Sequence, residues 1–197
     1  MRTFKLVGLT GRTGSGKSIV REVFGENGYE IIDADLLARE AVKNRIVKGD
    51  ILAAFGVDLL KSDESIDRKE LAKRAFKNDT SVKTLNSIIH PHITQLFMNE
   101  LKKLSDNGSS LILFDAPQLF ESGLDVICDL IIGVYASDEL RIKRISERDN
   151  ISDAAAKQRL NIQLPDSFFK ENCDYYLENN STAQALKTAV RKVISLI

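Results

Sequence analysis

The sequence has few cysteines, no net charge and no long apolar run. Its 197 residues contain two cysteines, Cys128 and Cys173. They lack the spacing of metal ligands, so we expect packed side chains rather than a metal site. So few thiols in a chain of this length indicate a reducing compartment and argue against a disulfide-stapled secreted scaffold.

The charge balance and the hydropathy exclude two further classes of protein. Lysine plus arginine and aspartate plus glutamate number 28 each, for a formal net charge of zero. A broad surface for nucleic acid or for an anionic membrane is therefore not expected, and an anionic ligand must be bound by a local site. No window approaches the ~20 apolar residues of a membrane span, and the N-terminal apolar run is too short for a signal peptide. We expect a cytoplasmic protein with no nucleic-acid or membrane partner.

Hydrophobic residues make up 43% of the chain, which is enough for one compact domain with a small insert. Apolar runs predict five strands, at residues 4–9, 29–32, 110–117, 129–137 and 175–177. Strands that alternate with helices indicate a parallel, three-layer α/β sheet. Residues 36–107 lack a convincing strand and predict a helical insert, and the charged segment 141–170 predicts a helical lid. The core then comprises residues 1–35, 108–140 and 171–197.

A glycine-rich loop follows the first predicted strand and precedes a helical pattern. Residues 11–18, GRTGSGKS, match G-x-x-x-x-G-K-[ST] at every fixed position. Glycines let backbone N–H groups surround a phosphate, and the helix N-terminus adds its positive dipole. The pattern predicts a nucleoside triphosphate site, with Lys17 on the phosphates and Ser18 on Mg²⁺. The predicted nucleotide contacts are Arg12, Thr13, Gly14, Ser15, Gly16, Lys17, Ser18 and Ile19.

Aspartates end two of the predicted strands, at the sheet edge where open α/β folds bind ligands. Asp33 is placed to accept the proton of an attacking hydroxyl, whereas Asp35 is better explained as the N-cap of a helix from Leu36. Asp115 ends another strand, where phosphate-loop proteins keep an acidic residue that supports Mg²⁺, although strand-end aspartates also cap turns.

Arginines in the predicted lid lie on one helical face. Arg141, Arg144 and Arg148 have the spacing of one face, with Arg144 and Arg148 favoured as a functional pair that neutralises the transferring phosphoryl group. The alternative is a solvated face paired with nearby acids. His90 precedes Pro91 at an expected helix interruption, and by itself favours a packed or capping residue over a catalyst.

Taken together, these motifs resemble the dephospho-CoA kinase family over nearly the whole chain. The segments that carry the resemblance are GLTGRTGSGKS, IIDADLLAREAV, FG at residues 55–56, IDRKELAKRAF, LNSIIHPHI, DAPQLFESGL, RIKRISERD, the predicted helix ending in Gln163, and ENN near the last strand. It implies a phosphate-loop NTPase core with a helical CoA-binding insert and a lid. It also implies transfer of the γ-phosphoryl group of ATP to the ribose 3′-hydroxyl of dephospho-CoA. Arg12, Thr13 and Gln118 depart from the family's usual residues. The two loop changes fall at variable positions of the phosphate motif, whereas Gln118 puts a polar amide where an apolar side chain is usual.

The resemblance also implies roles for single residues. Asp33 would be the base near the acceptor hydroxyl, Lys17 and Ser18 the phosphate and Mg²⁺ contacts, and Arg144 a lid contact to ATP. Arg68, His90 and Asp115 match motif positions for acceptor binding or structural support.

Two other functions remain as alternatives. A nucleoside or deoxynucleoside monophosphate kinase has the same loop and lid, but its phosphate acceptor requires clustered arginines, and those of the insert are dispersed. A GTPase switch lacks support because no N-K-x-D motif occurs. The sequence carries no signal for an oligomeric state.

Overall fold

The structure is a computed structural model that describes residues 4–197. The strands are β1 (Lys5–Thr10), β2 (Glu30–Asp33), β3 (Leu111–Asp115), β4 (Leu130–Tyr135) and β5 (Tyr175–Glu178). The α-helices of these residues are α1 (Lys17–Glu26), α2 (Ala34–Ala41), α3 (Arg45–Phe55), α4 (Arg68–Ala75), α5 (Asp79–Asp106), α6 (Asp138–Asp149), α7 (Asp153–Asn161), α8 (Asp166–Asn172) and α9 (Ala183–Ile194). Short 3₁₀ turns cover Val57–Leu59 and Leu124–Ile127.

The strands form one five-stranded parallel sheet in the order β2-β3-β1-β4-β5. Strand β1 lies at the centre and pairs in parallel with β3 on one side and β4 on the other. After β1 the chain continues to the β2 side of the sheet, and after β4 it continues to β5 at the opposite edge. The topological switch point therefore lies between β1 and β4, where open α/β sheets bind ligands beyond the carboxyl ends of the strands. The predicted parallel α/β fold is confirmed.

The core beside the sheet follows from the apolar faces of β1, α1 and α9. Val7 and Leu9 of β1 are fully buried and pack in one cluster with Phe24 of α1 and Val190 of α9. Because successive strand residues point to opposite faces, Val7 and Leu9 reach the same layer. This packing holds α1, and with it the preceding glycine loop, against the central strand.

Two compact units make up the chain. The first comprises the residues up to Ile32 and Lys103–Ile197, and it holds most of the sheet. The second, Asp33–Lys102, is helical and has its own buried core. That core consists of Ala41, Val47, Ile51, Leu59, Ile66, Leu71 and Ile89. The functional division into core, acceptor-binding insert and lid stays a prediction.

The N-cap of α2 differs from the expectation. Asp33 Oδ1 accepts hydrogen bonds from the backbone N–H groups of Asp35, at 2.8 Å, and Leu36, at 3.2 Å. The helix therefore begins at Ala34, and the assignment of Asp35 as its cap was wrong. The reason is local, since a carboxylate one residue earlier reaches both free N–H groups of the first turn.

The helix around Pro91 also differs from the expectation. Helix α5 is continuous from Asp79 to Asp106 with Pro91 inside it, so the predicted interruption at His90 was wrong. Proline removes one helical hydrogen bond, but Ile89 before it and Phe97 after it are both buried. Packing on both sides of the proline outweighs the lost bond.

Candidate functional site

The phosphate loop, residues 11–18, joins the end of β1 to the first turn of α1. Gly14 and Gly16 have φ angles of 80° and 103°, in the left-handed region that side chains disfavour. A Cβ atom on Gly16 would lie 2.2 Å from Asn179 Nδ2, so any other residue here would displace the Asn179 side chain. The loop thus depends on glycine to curl its backbone into an anion-binding turn.

The N-terminus of α1 is open to a ligand. Gly16 is the N-cap, and no side chain of the described residues caps it. The first-turn N–H groups and the positive end of the helix dipole therefore favour an anion at this place. Lys17 Nζ donates to the Gly11 carbonyl at 2.6 Å, so its ammonium lies within the loop, while Ser18 is exposed in the first turn. A cradle of N–H groups, one ammonium and one hydroxyl fits a triphosphate with Mg²⁺.

Two of the predicted nucleotide contacts have side chains engaged elsewhere. Arg12 is 9% exposed and donates to Asp166 and to the Leu160 carbonyl. Ile19 packs against the core cluster beside α1. At these two positions, a phosphate would therefore be bound by the backbone and not by the side chain.

Helix α6 contacts the loop through Arg144. Its guanidinium donates to the Gly14 carbonyl at 3.1 Å and to the Asn179 carbonyl at 3.2 Å. Arg148, in contrast, forms an exposed ion pair with the adjacent Asp149. Arg141 is fully buried. The three arginines expected on one face thus have different surroundings. Arg141 is buried, Arg144 contacts the loop, and Arg148 pairs with Asp149 at the surface.

Asp115 lies at the carboxyl end of β3, opposite Leu9 in the register with β1. It is 7% exposed, and its Oδ2 is 3.3 Å from Arg21 Nη1. The carboxylate therefore stands beside the strand that leads into the phosphate loop. The ion pair with Arg21, four residues after Lys17 on α1, was not foreseen.

The other predicted site residues belong to the second unit. Asp33 is the last residue of β2 and caps α2. Arg68 opens α4, is exposed, and its Nη2 is 3.5 Å from the Arg39 carbonyl oxygen. His90 is half-buried within α5. The structure thus gathers the phosphate loop, Asp115 and Arg144 in the first unit, and Asp33, Arg68 and His90 in the second.

Comparison with known proteins decides the family. A sequence model described as Dephospho-CoA kinase matches residues 5–185. The chain belongs to the dephospho-CoA kinase family. Members of this family are ATP-dependent kinases.

Individual proteins similar to this dephospho-CoA kinase family member cover nearly the same length. A dephospho-CoA kinase of Fusobacterium nucleatum is 35% identical over 192 residues, which is 98% of each chain. A crystal structure from Thermus thermophilus aligns with a TM-score of 0.82 and 28% identity over 98% of each chain. A dephospho-CoA kinase from Campylobacter jejuni aligns with a TM-score of 0.70 and 28% identity over 96% of this chain and 95% of its own.

Sequence reasoning missed three residues around this kinase loop. Asn179 Nδ2 donates to the Ser15 carbonyl at 2.8 Å, Gln163 Oε1 accepts from the Thr13 N–H at 3.0 Å, and Asp166 binds Arg12. Asn179 and Gln163 had a usable signal, since both lie in segments that resemble the family, but no contact with the loop was assigned to them. Asp166 had none, because its partners are distant in sequence.

Across residues 4–197, no helix combines the length and the apolar character needed to cross a membrane.

Proposed function

We propose that this chain transfers the γ-phosphoryl group of ATP to the ribose 3′-hydroxyl of dephospho-CoA, giving coenzyme A and ADP in the last step of CoA biosynthesis. The observation that carries the proposal is an uncapped helix N-terminus behind a glycine loop, in a chain of the dephospho-CoA kinase family. The acceptor oxygen forms a bond to the γ-phosphorus, the bond from that phosphorus to the β,γ-bridging oxygen breaks, and the hydroxyl proton is released.

On the donor side, the loop N–H groups and Lys17 bind the phosphates and offset their charge. The Arg144 guanidinium, held at the Gly14 carbonyl, adds positive charge beside the loop. Ser18 would hold Mg²⁺ and Asp115 would support it through water. When bound, Mg²⁺ would neutralise phosphate oxygens and orient them for in-line transfer.

On the acceptor side, Asp33 would accept or orient the hydroxyl proton, because it is a strand-end carboxylate for which the family resemblance implies the role of base. Arg68 and His90 would contact or support the acceptor. These assignments rest on the resemblance of their segments to the family. The composition and the scarcity of thiols support a cytoplasmic setting.

One assay tests the reaction directly. Purified protein with Mg-ATP is given dephospho-CoA, AMP or dTMP in parallel, and the products are resolved by mass spectrometry. We expect a single added phosphoryl group on dephospho-CoA, with little product from the monophosphates. Phosphorylation of AMP or dTMP with none of dephospho-CoA would replace this proposal by a nucleoside monophosphate kinase.

A further inference from the structure

Two buried guanidinium groups converge on one carboxylate beside the phosphate loop. Arg141 is fully buried and donates to Asp166 through Nη1, at 2.8 Å, and Nη2, at 2.6 Å. Arg12 is 9% exposed, and its Nη1 donates to Asp166 Oδ2 at 3.0 Å. Asp138 also pairs with Arg141 and lies 3.8 Å from Arg12 Nη1, but its side chain is 65% exposed, against 28% for Asp166. Asp166 is thus the less exposed carboxylate, and it accepts hydrogen bonds from both arginines.

The charges require such a bridge. Guanidinium groups stay protonated in proteins, so two of them cannot be buried close together without a compensating anion. Burial by itself would raise the pKa of Asp166, but hydrogen bonds and charge from Arg141, and then from Arg12, lower it overall. The carboxylate is therefore ionised at neutral pH.

The bridge formed by Arg12, Asp166 and Arg141 lies beside contacts that hold the phosphate loop from one side. Arg12 is the second residue of the loop, and its Nη2 donates to the Leu160 carbonyl at 2.6 Å. The next residue, Thr13, donates its backbone N–H to Gln163 Oε1 at 3.0 Å. Two consecutive loop residues are thus held by the segment from the end of α7 to the start of α8.

On the other side of the loop, the bridge includes Arg141 of α6, and α6 packs against the loop. A Cβ atom on Gly14 would lie 3.0 Å from the Arg141 carbonyl oxygen, so the backbone of α6 lies directly against the loop. Arg144, one turn further, donates to the Gly14 carbonyl. Asp166 therefore ties together the two elements that shape residues 12–14.

We propose that Asp166 is a positioning residue for nucleotide binding. By bridging Arg12 and Arg141, it holds residues 12–14 in the conformation that presents the loop N–H groups to a triphosphate. The inference rests on the proposed function only in taking Mg-ATP as the ligand. Both carboxylate oxygens of Asp166 accept hydrogen bonds from arginines, so we expect its loss to change nucleotide affinity rather than the chemical step.

The test compares Asp166→Asn with a matched control. Asp58→Asn removes the carboxylate of another arginine–aspartate pair, with Arg74, in the second unit. Binding of the non-hydrolysable analogue AMP-PNP with Mg²⁺ is measured by titration calorimetry, and KM and kcat are measured for ATP. We expect Asp166→Asn to weaken analogue binding and raise the KM for ATP by about tenfold, as loss of an orienting partner typically does. The KM for dephospho-CoA should stay within about twofold, and Asp58→Asn should bind the analogue normally.

Two further variants keep the test decisive. Asp166→Glu keeps the charge and should recover most of the affinity. Arg12→Gln/Asp166→Asn removes one charge of each sign and should fold if the single variant does not, yet still bind AMP-PNP about tenfold more weakly. A folded variant without the Asp166 carboxylate and with unchanged affinity, or an equal loss in Asp58→Asn, would overturn the proposal. Because the binding assay needs no acceptor, it remains decisive if dephospho-CoA is not the substrate.

Discussion

Asp33 combines a structural and a proposed chemical role in one carboxylate. Its Oδ1 accepts hydrogen bonds from two backbone N–H groups at the start of α2. Asparagine caps helices about as well as aspartate, whereas alanine costs about 1 kcal/mol at an N-cap. Asn at this position therefore separates the two roles, because it keeps the cap and loses the anionic base.

We expect Asp33→Asn to lower kcat by roughly 10²-fold or more, since a positioned general base contributes that much. Its affinity for ATP and its melting temperature should stay close to those of the parent. Steady-state kinetics and thermal unfolding measure these quantities. Asp35→Asn, which removes an exposed neighbouring charge, is the control and should retain its kcat. A kcat within about threefold of the parent would show that Asp33 is not the base.

The same experiment distinguishes Asp33 from Asp115. If Asp115 supports Mg²⁺, Asp115→Asn should weaken Mg-ATP binding, and raising the Mg²⁺ concentration should restore part of the rate. Asp115 Oδ2 lies 3.3 Å from Arg21 Nη1, at the end of the strand next to β1. An Asp33→Asn enzyme rescued by Mg²⁺, together with an inactive Asp115→Asn enzyme that Mg²⁺ does not rescue, would mean that the two roles are reversed.

Among the secondary-structure elements, α5 contains the least favourable residue for its position. Pro91 is exposed inside a helix of 28 residues. It has no N–H to donate to the carbonyl four residues earlier, and a proline in a helix interior costs about 3 kcal/mol. Part of that cost is offset because proline also restricts the unfolded chain.

We therefore expect Pro91→Ala to raise the free energy of unfolding by about 1 kcal/mol or more, measured by urea denaturation. Pro165 provides the control, because it lies at the N-cap of α8 with a φ of −70°, where its ring fits without strain. Pro165→Ala should not increase stability. If Pro91→Ala instead lowers the free energy of unfolding, the proline ring stabilises α5 by packing.

The elements themselves were largely predictable. Strand β1 was expected at residues 4–9 and is found at Lys5–Thr10, because its apolar run is bounded by a glycine loop. The start of α4 likewise depends on neighbouring residues, because the Glu70 N–H donates to Asp67 Oδ1 at 3.0 Å. Helix α8 was not resolved as a separate element. Its 7 residues are too few to show a helical period.

At the scale of the whole molecule, nucleotide binding and folding are linked. A ligand that binds only the folded state stabilises it, by about 2.7 kcal/mol at a concentration 100 times its Kd. For a protein of this size, 1 kcal/mol shifts the melting temperature by about 2–4 °C. The loop contacts residues from α6, α7 and the end of β5. Ligand binding should therefore stabilise much of the first unit against unfolding.

Mg-ATP at about 100 times its Kd should accordingly raise the melting temperature by roughly 5–10 °C, measured by calorimetry or dye fluorescence. Lys17→Ala should fold normally and lose most of this shift together with its activity, because it removes the ammonium held in the loop. Lys187→Ala, which removes a lysine paired with Glu22, should keep the shift. A folded Lys17→Ala protein with the full shift and normal turnover would exclude the loop from the reaction.

The sequence by itself determined the phosphate loop, the strands and the family, because each depends on residues that are close in the chain. The glycines at 14 and 16 act on their own backbone angles, and Lys17 and Ser18 follow in the first turn of the adjoining helix. Only the tertiary structure decided the strand order and the bridge at Asp166. Arg12 and Asp166 are separated by 154 positions, and no local pattern links them. Their pairing depends on how α7 and α8 pack beside the loop, since a buried arginine must find its counter-ion wherever the fold brings one.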